Sequence, residues 1–270
     1  MSRPVVDAAG GYRVFDVHAH IGDLAASRTA IALMDRSGIS AGVAMLDHAY
    51  EWPNGIADTR RVNDQVAALR QRLPERLPVA LGTLEPFHGQ DAGLAEIERI
   101  VTELHLDGLV WDHHAQGTGI DDQRMVAFVQ ELARRGLPAF IHANALDMRE
   151  SPAHIESLAQ RVPEARIVAL GALSALQRES ELRRIAEGCP NLVFDTTVTL
   201  PIGPIERYVG IVGAERLVFG TDMYANPTWA STTPPVLDNI LRSEHLSDQD
   251  KRRIVWDNAA RLFPALESFT

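Results

Sequence analysis

His18 and His20 stand two residues apart in FDVHAHIG, residues 15–22. On an extended strand that spacing puts both imidazoles on one face, where two neutral nitrogens can share one metal ion. Alone, His-x-His equally suits one packed and one solvated ring, so its meaning depends on what joins it. Two other apolar runs end in residues of matching chemistry: PAFIHAN (138–144) carries His142, and RLVFGTDMY (216–224) carries Asp222. Neither belongs unpartnered in a core, because burying an unpaired polar group is costly. Three imidazoles and one carboxylate suit a single divalent ion, Zn²⁺ first and Mn²⁺ second, with a position left for water.

A fold must bring these four residues together. Strand-like runs fall at 13–17, 41–46, 78–84, 108–111, 138–141, 166–170, 192–195 and 216–219, each rich in Val, Ile, Leu or Phe and bounded by Gly, Pro, Asp or Asn. Their starts recur at roughly 24–37 residues, about one strand–helix unit. Between them lie amphipathic stretches. In 92–104, Leu94, Ile97, Val101 and Leu104 share a helical face, and 125–135 repeats the pattern with Met125, Phe128, Val129 and Leu132. A last helix is expected over 247–263, with Ser247 as its N-cap and Asp250 at the capping-box offset. Eight such units predict an α/β chain forming one (β/α)8 barrel domain over 1–270, with a C-terminal helix. An open doubly wound sheet would carry a Gly-rich turn after its first strand, and here that turn reads HAHIG. In a closed barrel the eighth strand lies beside the first. Asp222 then neighbours His18 and His20, and His142 faces them across the mouth where barrel active sites sit.

Composition narrows the rest. The 270 residues are 46% hydrophobic and 23% charged, as in a soluble globule, and the net charge is −10. An acidic surface disfavours nucleic-acid and membrane partners and leaves a small-molecule substrate as the expected ligand; a homo-oligomer is compatible. The single cysteine, Cys189, fits a reducing cytoplasm. The single lysine, Lys251, excludes a P-loop and argues against Schiff-base chemistry.

The segments DVHAH (16–20), IHAN (141–144), RLVFGTDM (216–223) and DKRRIVWDNAARLF (250–263) resemble the amidohydrolase superfamily. The resemblance is to its amidohydrolase-related branch, which includes aminocarboxymuconate-semialdehyde decarboxylase and 2-pyrone-4,6-dicarboxylate lactonase. It spans nearly the whole chain and implies His18, His20, His142 and Asp222 as metal ligands. One departure stands out: the sixth run, RIVALGAL, has Ala169 where the family places a histidine in His-x-Gly. No strand supplies the lysine that bridges two metals in binuclear members, so one ion is expected; Asp112 is the nearest alternative bridge.

Other mouth residues must then take over. WDHHAQG after the fourth run supplies Trp111, Asp112, His113 and His114; the second run supplies Asp47 and His48, and the third Glu85. Asp222 is expected to move the proton and His114 to act as the second catalytic group, with His113, His48 and Trp111 against the substrate. Asp16 is expected on the face of His18, deeper in the barrel. Tyr50, Trp52, Tyr224 and Trp229 are candidates to wall an apolar pocket, while His88, His105, His154 and His245 read as surface residues. The leading expectation is a hydrolase acting on a small lactone, ester or amide through activated water. The alternatives are nonoxidative decarboxylation or another lyase reaction of an aromatic or unsaturated acid, with Arg149 or Arg60 holding the substrate, and a metal-holding pseudoenzyme.

Overall fold

The computed structural model of the chain describes residues 11–21, 23–46, 52–144, 147–199, 201–224, 235–267 and 269. Its strands are β1 (Phe15–Asp16), β2 (Ala19–His20), β3 (Ala41–Ala44), β4 (Val79–Thr83), β5 (Gly108–Trp111), β6 (Ala139–His142), β7 (Ile167–Leu170), β8 (Leu192–Asp195), β9 (Leu217–Val218) and β10 (Met223–Tyr224). All pairings are parallel, in the order β1-β3-β4-β5-β6-β7-β8-β9, with β10 beside β2. The first and eighth barrel strands are therefore each split in two. Between them the barrel closes: the Val17 amide donates to the Phe219 carbonyl at 3.0 Å, and β10 pairs with β2 in register Met223↔Ala19. The eight expected runs are the eight strands of a (β/α)8 barrel, and the fifth extends one residue further, to His142.

Alternation along each strand builds two apolar layers. Inside the barrel lie Phe15, Val17, Val43, Leu81, Val110, Phe140, Val168, Leu170 and Val218. Between sheet and helices lie their neighbours Leu109, Trp111, Ile141, Ala169 and Phe194, against helical residues such as Phe128, Leu132 and Leu158. The helix Gln123–Arg134 shows why these segments are helical: Asp122 accepts from the Arg124 amide as cap, and Met125, Phe128, Val129 and Leu132 fall on one buried stripe. The C-terminal region runs through helical turns from Asp248 to Leu262, and Ser247 caps its start as expected. It seals the barrel's lower end. Phe263 stacks on Phe140 at 5.7 Å between centroids and leans on Phe15 at 6.1 Å, and Asn258 donates to the Ala214 and Leu217 carbonyls on either side of the β9 start. Among the described residues no helix is long and apolar enough to cross a membrane.

Candidate metal centre

The break between β1 and β2 decides which way the histidines face. Phe15 and Val17 point into the barrel, so unbroken alternation would turn His18 outward. The interruption at 17–18 resets the phase, and both rings reach the mouth. Asp16 is turned the other way, against the expectation that it shares their face. Its Cβ lies over Gly42 on the helix side of the sheet, and its carboxylate accepts from the His18 amide and from the amide and hydroxyl of Thr221 at 2.6–3.1 Å. Burial pushes its carboxyl up to about 7 despite those bonds.

Four ligand atoms converge above this break. His18 Nε2 lies 3.3 Å from His20 Nε2, 3.0 Å from His142 Nε2 and 3.3 Å from Asp222 Oδ1, and His20 Nε2 lies 3.3 Å from the same oxygen. Donors about 2.0–2.1 Å from one tetrahedral ion would stand about 3.3 Å apart, so the residues fit such an ion. The ring tautomers agree. His142 Nδ1 donates to the Trp111 carbonyl at 2.8 Å, which leaves a lone pair on Nε2. His18 Nδ1 faces Asp195 Oδ2 at 3.2 Å and Thr197 Oγ1 at 3.0 Å, a carboxylate–histidine arrangement typical behind a metal. Burial pushes His142 down to about 4, which keeps it neutral at pH 7. Burial would raise Asp222, but the facing imidazoles of His18, His20 and His142 outweigh it and hold the carboxyl near 2.

Backbone geometry serves the same cluster. Asp222 sits at φ 56°, a left-handed conformation unusual for a side-chain-bearing residue, and its amide donates to the His18 carbonyl at 2.9 Å. Gly220, two residues before it, has no substitute: a Cβ there would meet Thr197 Oγ1 at 2.7 Å and Asp195 Oδ2 and His18 Cβ at 2.9 Å.

A second group lies beside the first. Asp112 continues the inward face of β5. His114 is 32% exposed, with Nδ1 2.5 Å from Asp112 Oδ1 and 3.3 Å from Glu150 Oε1. Its amide also donates to Glu150 at 2.8 Å. Asp112 therefore belongs with His114 and Glu150, apart from the four-donor set. His113 is fully buried; its Nδ1 meets Thr118 Oγ1 at 3.3 Å, its Nε2 has no hydrogen-bond partner among the described residues, and burial lowers it to about 3.

Several expectations change. Trp111 joins the sheet–helix layer, so its carbonyl, not its ring, serves the site. Ala169 also faces the helices, and the inward slot level with His142 is held by Leu170. Arg149 is held by Asp147 and Arg60 by Glu96. His88 is half-buried rather than a surface group: it bonds Thr59 Oγ1 at 2.8 Å and, with Trp52, Glu85, Phe87 and Gln116, lines a cavity of about 400 Å³. Asp47, His48, Tyr50 and Trp229 lie outside the described residues, and Tyr224 is described only in its backbone. Sequence reading missed Asp195, Thr197 and Glu150. Asp195 carried a usable signal, since it ends the seventh strand run as His142 and Asp222 end theirs; Glu150, in a short turn, carried none.

A barrel with a His/Asp set able to hold a metal ion at the carboxyl ends of its strands has the architecture of amidohydrolase-type enzymes. The amidohydrolase family model matches residues 15–265, and the chain belongs to that family. A search of curated proteins gives no match. Among solved structures the chain is similar to 5-carboxyvanillate decarboxylase from Sphingomonas paucimobilis (17% identity, 93% of this chain and 99% of that one, TM-score 0.73). It is also similar to an amidohydrolase-like protein from Staphylococcus aureus (15%, 93% and 99%, TM-score 0.75). A third is dihydroxybenzoic acid decarboxylase from Polaromonas, with bound manganese and the inhibitor 2-nitroresorcinol (16%, 95% and 98%, TM-score 0.69).

Proposed function

We propose that this protein is a metal-dependent lyase that removes a carboxylate as carbon dioxide from a small aromatic or unsaturated hydroxy acid. The observation that carries this reading is Leu170. Level with His142, where a hydrolase would use a polar group to steady water, the inward side chain is the apolar Leu170. An apolar wall disfavours a charged carboxylate relative to neutral carbon dioxide and so lowers the cost of losing it. The structurally similar decarboxylases support the same choice over hydrolysis.

His18, His20, His142 and Asp222 would hold the ion, Mn²⁺ or Zn²⁺, with Asp195 and Thr197 fixing the His18 ring. When bound, the ion would supply a fixed positive charge to attract an acidic substrate. Asp222, 30% exposed on its side chain, faces the mouth. Its carboxylate takes the substrate's hydroxyl proton and delivers it to the carbon whose bond to the carboxylate breaks, where the electron pair is left. The departing carbon dioxide carries no proton, and the hydroxyl is restored from solvent. His114, on the exposed rim, is the group placed to bring that proton in. His113, fully buried after β5, stays a neutral ring.

Hydrolysis of a lactone, ester or amide is the second reading. It rests on the same Asp222 carboxylate, which could equally take a proton from water. Mass analysis of products from Mn²⁺-loaded protein, incubated with hydroxybenzoates and with small lactones, separates the two. Loss of carbon dioxide is expected. Gain of water on the lactones, with the acids untouched, would replace the lyase reading with the hydrolase one.

A further inference from the structure

We infer that Asp112, His114 and Glu150 form a second divalent-cation site at the rim, distinct from the four-donor centre. The three side chains come from two different loops. Asp112 and His114 follow β5, while Glu150 ends the turn Met148–Glu150 after β6. One ligand atom from each lies within 4.8 Å of the others. Glu150 is fully buried, and its Oε2 has no hydrogen-bond partner among the described residues. A buried carboxylate oxygen in that state loses its hydration without replacement. Glu150 meets the His114 imidazole at 3.3 Å, while the neighbouring Arg149 is bound instead to Asp147 through Nε at 2.8 Å and Nη2 at 3.0 Å. Two carboxylates thus share one imidazole nitrogen. A divalent ion between them would neutralise both and satisfy Oε2.

Two oxygens and one nitrogen are the donor set of Mn²⁺ or Zn²⁺ rather than of a soft metal. The buried carboxylates fix the inner side, and the exposed edge of His114 leaves the outer side open to an oxyanion. With its Nδ1 on the ion, the ring would carry its proton on Nε2 and become a hydrogen-bond donor to the mouth. The ion also answers a shortage: Arg60 and Arg149 are occupied elsewhere, so a second carboxylate or phenolate on the substrate would find its counter-charge here.

The test counts ions without relying on activity. Protein stripped by chelator is dialysed against Mn²⁺ alone, and bound manganese per chain is measured by mass spectrometry, with circular dichroism as the check on folding. The expected result is two equivalents in the wild type and one in Glu150→Gln, a near-isosteric change, with Asp112→Asn behaving alike. His142→Ala should also keep one, held at the rim. Equal manganese in the wild type and Glu150→Gln, whether one equivalent or two, overturns the rim site and leaves the four-donor centre standing. One equivalent that survives His142→Ala but not Glu150→Gln keeps the rim site and overturns the four-donor centre. No bound manganese overturns both.

Discussion

The two ends of the barrel are built on opposite principles. At the lower end Phe15, Phe140 and Phe263 close an apolar plug, and a buried polar group there, Asn258, is used twice as a donor. At the upper end buried acids and imidazoles crowd together. His113 Nε2 and Glu150 Oε2 have no hydrogen-bond partner among the described residues, and Asp222 and Val198 occupy left-handed backbone conformations. The lower end gains stability from apolar packing and satisfied hydrogen bonds. The upper end holds polar groups and backbone in states that cost free energy unless something binds there, as functional sites do.

The sharpest way to break this contrast is to exchange the roles of the ends. Asp222→Asn should lower turnover by about 10³-fold or more with the thermal midpoint of the metal-free protein lowered little or not at all; steady-state kinetics and calorimetry check both halves. Phe263→Ala should do the reverse. It should cost about 3–5 kcal/mol of stability in denaturant titrations, while manganese content and turnover per folded molecule stay near wild type. If Phe263→Ala instead removed the metal, the two ends would be coupled and the contrast would fail.

How far the sequence disclosed these ends depends on the kind of signal. The barrel strands were legible because parallel strands read as short continuous apolar runs punctuated by Gly and Pro. His18, His20, His142 and Asp222 were legible because each ends such a run. Asp195 obeys the same rule and went unread, since a lone aspartate at a strand end also suits a turn. Glu150 had no local signal, as its burial is created by a loop that folds over β6. The Ala169–Leu170 choice turned on one residue of register, which reverses the face a side chain occupies. The inversion of Asp16 relative to His18 was hidden for a related reason: a break of strand phase leaves no mark in composition.

Two smaller tests sharpen the picture of the upper end. Asp195→Asn removes the carboxylate behind His18 while keeping its shape, and should weaken metal affinity by about 10–100-fold, read by competition with a chelator. Glu85 concerns pH. Burial holds its carboxyl at about 7 in the folded chain against an ordinary 4.5. The folded state therefore binds more protons than the unfolded state between those values, and stability falls as pH rises through that window. Glu85→Gln should flatten the decline, by at most about 1.4 kcal/mol per pH unit, in denaturation curves taken at several pH values.

The seam where β1–β2 meets β9–β10 has a consequence for how the protein is made. Asp16 bonds Thr221 across 205 positions of chain, and the paired imidazoles meet Asp222 at that same junction. A ribosome must therefore have passed residue 222 before the four candidate ligands can come together. Captured metal would then act as a rivet through the last joint to close, holding a newly synthesised barrel shut at the point where its beginning and its end come together.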